Sequence, residues 1–198
     1  MPRRPRIEVQ NGIFHVASRA VDKVFAYRQD ADRLEFLDFL WTTVGTYEWW
    51  CQSYCLMGTH YHLIVRTPNA NLARGMQMLN GRYAQRFNWR YDRRGHLFGG
   101  RFISVPIKDD THLMAAHRYV ARNPVRAGLC PNPVDWEWSS YRAVIGLEAP
   151  PIFLDVRGAL SAFSDTGKPA EVSYATTIAA PSSPLDDLPY ELAKTVGV

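Results

Sequence analysis

Three cysteines in 198 residues, Cys51, Cys55 and Cys130, are odd in number and form no CxxC pair. A disulfide framework and a cysteine-rich zinc site are therefore not indicated, and a reducing compartment fits. Long apolar runs are also missing: no stretch approaches the roughly eighteen residues that cross a bilayer. The opening Met-Pro-Arg-Arg-Pro-Arg is not followed by the apolar segment of a secretory leader. The expectation is a soluble, cytoplasmic protein with no membrane partner. Lysine is scarce too, with only Lys23, Lys108, Lys168 and Lys194 among 23 basic residues. The rest are arginines, whose planar guanidinium suits bidentate phosphate contacts and stacking.

The net charge of +4 is unevenly spread. Residues 150–198 hold three basic and six acidic side chains, which leaves 20 basic against 13 acidic in the first 149. That excess favours a polyanionic partner. A hydrophobic content of 46% in this length is enough for one sizeable core. Residues 1–10 read as a basic arm, 11–149 as one domain, and 150–198, rich in Ala, Ser, Pro and Thr, as a mostly disordered tail.

Within the domain, Asn11-Gly12 precedes a first strand over Ile13–Ser18. Asp30-Ala31-Asp32 caps a helix with Leu34, Leu37, Leu40 and Val44 at helical spacing, and Gly45 is expected to end it. Two apolar runs between Trp49 and Arg66 are split by Gly58-Thr59, the signature of a two-residue hairpin. A helix from Asn69 to Trp89 follows, with Leu72, Met76, Leu79, Tyr83 and Phe87 along one stripe. A strand from Phe102 to Ile107 is next, and then a helix capped by Asp109, Asp110 and Thr111 that should stop near Asn123-Pro124. Trp136 to Tyr141 forms an aromatic patch expected to pack back on the body. Strand, helix, hairpin, helix, strand, helix is the order of an α+β, ferredoxin-like split βαβ sandwich, with an antiparallel sheet, helices packed on one face and the other face open.

Alternation along the second hairpin strand puts Tyr61, Leu63 and Val65 on the core face and His60, His62 and Ile64 on the other. Two imidazoles a hydrogen-bond reach apart suit a divalent ion, and two ligands leave room for a third group, water or substrate oxygen. They are equally compatible with ordinary surface histidines. Tyr119 and Asn123, four apart on the last helix, face one direction together. An amide oxygen with two imidazoles suits Mg²⁺ or Mn²⁺, with Tyr119 as a nucleophile. The plainer alternative is a packed tyrosine and a helix-ending asparagine. Tyr83 is a weaker nucleophile candidate because its spacing marks a core stripe, and Asp109 and Asp110 are helix caps. Arg82, Arg86, Arg90, Arg93, Arg94 and Arg101 interleave with Trp89, Tyr91, Phe98 and Phe102. That mixture neutralises phosphates and stacks unpaired bases, and Arg3, Arg4 and Arg6 could enter a groove or grip a single strand.

The order of the pieces narrows these readings. His60-Tyr61-His62 in an apolar strand, a basic helix, then Arg118-Tyr119-Val120-Ala121-Arg122-Asn123-Pro124 resembles the single-tyrosine HUH transposases, and looks most like the REP-associated tyrosine transposases. Phe14 to Arg19, Leu79 to Ala84, Gly95 to Phe102 and Trp138 to Tyr141 extend the resemblance over about residues 6–146. One departure is Arg19-Ala20-Val21-Asp22, where many relatives carry a glycine-containing turn.

The resemblance implies a nuclease that cuts and rejoins single-stranded DNA at hairpin-forming repeats through a 5′-phosphotyrosine. His60 and His62 would be metal ligands, Asn123 a third, and Tyr119 the nucleophile. A hairpin-binding protein that no longer cleaves is the alternative. The short link from Lys108 to Thr111 suggests that Tyr119 acts within its own chain, as a monomer, with a dimer as the alternative.

Overall fold

The computed structural model describes residues 9–164 and 167–181. Four strands form one antiparallel sheet: β1 (Gly12–Arg19), β2 (Trp50–Leu56), β3 (His60–Thr67) and β4 (Ile103–Pro106), in spatial order β2-β3-β1-β4. Helix α1 (Asp30–Tyr47) links β1 to β2, and α2 (Leu72–Arg90) links β3 to β4. This is the expected α+β sandwich of ferredoxin-like order. The hairpin joining β2 to β3 has the expected two-residue turn, closed by Met57 N–H donating to the His60 carbonyl at 2.8 Å. Gly58 is not left-handed there; its hydrogen makes room for Phe25, whose ring lies 3.1 Å from where a Cβ would sit. The turn is tied down by two bonds from the segment after β1, Ala20 N–H to the Thr59 carbonyl (2.8 Å) and Ala26 N–H to the Gly58 carbonyl (2.9 Å).

The first sheet face carries Phe14, Val16, Tyr54, Leu56, Tyr61, Leu63 and Val65, all buried under the apolar stripes of α1 and α2. Phe36, Leu40 and Val44 come from α1, and Leu72, Met76, Leu79, Tyr83 and Phe87 from α2. Two of the hydroxyls at this face are matched: Tyr61 donates to Asn80 at 2.6 Å and Tyr83 to the Ala26 carbonyl at 2.5 Å. The N-terminus of α1 is capped by a Gln29 and Asp32 box rather than by Asp30. The helix runs through Gly45 to Tyr47 and ends at Glu48, which takes the left-handed conformation (φ 55°). The turn after β1 needs no glycine: its left-handed residue is Asp22 (φ 51°), a type that tolerates this conformation, while Ala20 stays extended.

The second sheet face is not left open. Helix α3 (Asp110–Arg126) lies across it, with Leu113, Ala116, Tyr119 and Val120 packed on Cys55, Met57 and Ile64. Asp109 caps α3 by accepting from the His112 N–H at 2.8 Å. The expected stop at Asn123-Pro124 does not occur, and the helix continues to Arg126. Proline there removes only one bond near the C-terminus, and the turn beyond closes with Ala127 N–H on the Asn123 carbonyl (3.0 Å). The aromatic patch packs as expected: Leu56 N–H donates to the Trp138 carbonyl at 2.8 Å, and Ser140 Oγ lies 3.1 Å from Ser53 Oγ.

Disorder over 150–198 is corrected for most of that segment. After the short α4 (Tyr141–Val144), the chain forms α5 (Val156–Leu160) and α6 (Ala170–Ala179). These helices and the 3-10 turn Ser161–Phe163 after α5 bury Leu160, Phe163, Tyr174 and Ile178 against α3 and β2. Such burial contributes about 1.5–3 kcal/mol per large side chain, which composition-based reading discounts. Residues 182–198 lie outside the described residues.

Candidate active site

The register of the sheet brings three histidines together. Ala17 is directly opposite His62 and Arg19 directly opposite His60, so His15, two residues before Ala17, is the diagonal neighbour of His62 on the same face. Ala17, 0% exposed, leaves space for that reach. His15 Nε2 lies 3.2 Å from His62 Nδ1. The His60 and His62 rings stand nearly perpendicular, with centroids 5.1 Å apart.

Helix α3 completes the cluster. Asn123 Oδ1 lies 3.3 Å from His60 Nε2, and Thr59 Oγ1 is 3.2 Å from His60 Nδ1. Tyr119 sits edge-on to His62 (centroids 5.4 Å, 86°) and to His15 (5.4 Å, 61°). The Asn123 amide, one helical turn later, lies near its phenol. The expected four, His60, His62, Tyr119 and Asn123, therefore converge. Tyr119 is 4% exposed.

Burial dominates the electrostatics. It lowers His60 to about 4 and His62 well below the usual imidazole range, so both rings are neutral at physiological pH. Burial also raises the Tyr119 phenol, against the pull of the Arg126 guanidinium and of the Asn123 hydrogen bond. Arg126 Cζ lies 5.3 Å from the Tyr119 ring centroid.

Neutral imidazoles are the form that holds a metal. His62 Nε2 is buried with no hydrogen-bond partner, an orphaned atom that an ion would satisfy. The 3.3 Å between His60 Nε2 and Asn123 Oδ1 is close to the roughly 3 Å edge of an octahedron with bonds of about 2.1 Å. Among the described residues no three of His, Cys, Asp and Glu converge as ligands. An ion here would draw on Asn123 and on solvent or phosphate oxygen.

The arginines expected to bind DNA divide into two sets. Arg86 and Arg90 form ion pairs within the fold, both with Glu35 (2.7 and 3.1 Å), and Arg90 also pairs with Asp32, although the Arg86 side chain stays 42% exposed. Asp32, 1% exposed, further accepts from the Tyr91 hydroxyl and the Arg28 and Gln29 N–H groups. Arg93 bonds Asn88 and the His96 carbonyl. Arg86 and Arg90 hold α2 to α1, where the buried Asp32 carboxylate demands a charged partner, and Arg93 ties the end of α2 to the following loop. Arg82, Arg94 and Arg101 are exposed. Arg101 and Arg19 line a cleft of about 190 Å³ with Ser18 and Gly99, next to His60 in the strand register. Arg3, Arg4 and Arg6 lie outside the described residues.

His15 and Arg126 were given no role from sequence. For His15 the signal was present: it shares the phase of the outward-facing residues on β1, and this strand order puts β1 beside β3. Arg126 gave none, because the helix was expected to end before it.

Residues 8–123 match the family model described as "Transposase IS200 like". Among solved structures, the chain is similar to one described as "Structure of the REP associates tyrosine transposase bound to a REP hairpin". The identity is 13%, the TM-score 0.66, and the match covers 77% of this chain and 90% of that one. No curated protein matches the chain. With more than half its length matched by one family model, and with that fold, the chain belongs to the IS200-like transposase family.

Proposed function

We propose that this protein is a metal-dependent, single-strand-specific DNA endonuclease and strand transferase that acts on hairpin-forming repeat DNA in the cytoplasm. The observation that carries this reading is the meeting of Tyr119 with His60, His62 and Asn123 across elements far apart in the chain. The hairpin substrate is supported by the solved relative with a REP hairpin.

In this reading His60, His62 and Asn123 hold Mg²⁺ or Mn²⁺, which when bound neutralises and aligns the scissile phosphate. Arg19 and Arg101 sit where they would steer the strand toward it. The Tyr119 oxygen attacks phosphorus, the bond to the 3′-side oxygen breaks, and a 5′-phosphotyrosine and a free 3′-hydroxyl result. Asn123, one turn along the helix from Tyr119, would orient that oxygen, and Arg126 would offset its developing negative charge. Because the covalent link conserves the phosphodiester energy, attack by a 3′-hydroxyl reverses the step without ATP. Tyr119 lies against its own chain's His62, and only Ile107-Lys108-Asp109 separates β4 from α3. That short link supports action within one chain and a monomer.

The burial of Tyr119, with its raised phenol, favours a second reading, hairpin binding without cleavage. A labelled hairpin oligonucleotide incubated with Mn²⁺ separates the two. Cleavage and a covalent protein–DNA adduct are expected, and both should vanish in Tyr119→Phe while hairpin binding persists. Cleavage undiminished in Tyr119→Phe defeats the nucleophile assignment. Tight binding with no adduct under any divalent ion supports the second reading.

A further inference from the structure

We propose that His15 is a positioning residue: its Nε2 accepts a hydrogen bond from His62 Nδ1–H and so fixes the lone pair of His62 on Nε2, toward the ion. This rests on the metal-site reading above and names a residue outside the His60, His62 and Asn123 set.

A neutral imidazole has one N–H, so the 3.2 Å bond between His15 Nε2 and His62 Nδ1 has one of two directions. If His15 donates, His62 must carry its proton on Nε2. That atom is buried and has no partner, which would leave an unsatisfied donor in the interior, an arrangement folded proteins rarely keep. If His62 donates, Nε2 carries a lone pair instead, free for a ligand. The same tautomer is the one a metal requires, and a ligating imidazole typically donates its other N–H to a protein acceptor. Here that acceptor is another imidazole.

The surroundings hold His15 in the acceptor's place. It lies on β1, paired with β3 through Ile64 on one side and with β4 through Val105 on the other, so its backbone has little freedom. Its side chain is 1% exposed and packs edge-on against Tyr119. Only a small residue at position 17 allows the diagonal contact, and Ala17 fills that position. His15 therefore touches both a proposed ligand and the proposed nucleophile, and a change there is felt at each.

The test is the tautomer itself, read by long-range ¹H–¹⁵N correlation on histidine-labelled, metal-free protein at neutral pH. His62 is expected with Nδ1 protonated and Nε2 bare. His15→Phe, which keeps an aromatic ring but no acceptor, should lose that single tautomer and bind Mn²⁺ roughly 10–100-fold more weakly by calorimetry. His15→Gln, whose amide oxygen reaches the same point, should recover most of both. A wild-type His62 protonated on Nε2 overturns the proposal, even if neither variant folds. So does a folded His15→Phe that binds Mn²⁺ as tightly as the wild type. Wild-type protein with the expected tautomer and no Mn²⁺ affinity supports the hydrogen bond and counts against the metal-site reading alone.

Discussion

Arg118 and Tyr119 are neighbours in the chain yet face different sides of α3, about 100° apart. The Tyr119 ring meets His62, while the Arg118 guanidinium, on a residue 0% exposed, donates to the carbonyls of Thr177, Ile178 (2.9 Å) and Ala180 (2.7 Å) at the end of α6. Arg122 adds a bond to the Ile178 carbonyl at 3.0 Å. One helix thus carries the proposed nucleophile on one side and the anchor of the C-terminal helices on another.

Replacing Arg118 with Met should cost roughly 2–4 kcal/mol, because charge-assisted bonds to several carbonyls at a helix C-terminus are lost together. Arg118→Lys, a point charge, should recover only part. Denaturant unfolding gives the magnitude, and faster amide exchange over residues 170–180 locates the damage. A variant as stable as wild type would remove the anchoring role.

Acid should destabilise the fold through its buried histidines. His117 is lowered to about 3 by burial, against 6.5 when unfolded, and both its ring nitrogens lack partners. The unfolded chain therefore binds the proton first. Stability is highest above pH 6.5 and declines as pH falls from 6.5 toward 3. At pH 5 the contribution lost is about 2 kcal/mol for this residue. His117→Phe should flatten the decline by that amount and cost little at pH 8, measured by urea unfolding at both pH values.

Gly75 on α2 admits the Trp49 ring, whose Cζ2 lies 2.1 Å from where a Cβ would sit, and Trp49 Nε1 donates to Asn71 Oδ1 at 2.7 Å. Gly75→Ala should lower stability by about 1–3 kcal/mol, because overpacking outweighs the gain in helix propensity. Gly81→Ala, with nothing within 4 Å, should be neutral or stabilising. Thermal unfolding of the pair distinguishes clash from propensity.

The two arginine sets should separate in binding and stability. Arg101→Ala should weaken hairpin binding and reduce the slope of log affinity against log salt by about 1, with little change in stability. Arg90→Ala should instead cost roughly 1–3 kcal/mol, because Asp32 loses its charged partner and keeps only the Tyr91, Arg28 and Gln29 donors. Fluorescence anisotropy across a salt series, beside unfolding curves, checks both.

The hairpin was legible because alternation in His60–Val65 and the Gly58-Thr59 break are local signals, and the meeting of Tyr119 with the histidines followed from the order of motifs. Two readings failed for non-local reasons. Pro124 reads locally as a stop, but one missing bond near a helix end is outweighed by packing of α3 on the sheet. The segment around α5 and α6 looked disordered because its Ala, Ser, Pro and Thr content outweighs its apolar residues, and Phe163 and Tyr174 gain partners only once α3 is in place. The arginines of α2 hold a similar lesson: which ones form ion pairs within the fold depends on Glu35 and Asp32, more than fifty residues away in the chain.

The bonds from Ala20 and Ala26 to the tip of the β2–β3 turn make that tip part of a rigid frame rather than a free end. His60 is the first residue beyond it, so its angle is inherited from a stretch that contributes no atom to the cluster. The placing of His60 thus depends on the loop between β1 and α1, whose Phe25 is 62% exposed, as much as on the strand that carries it.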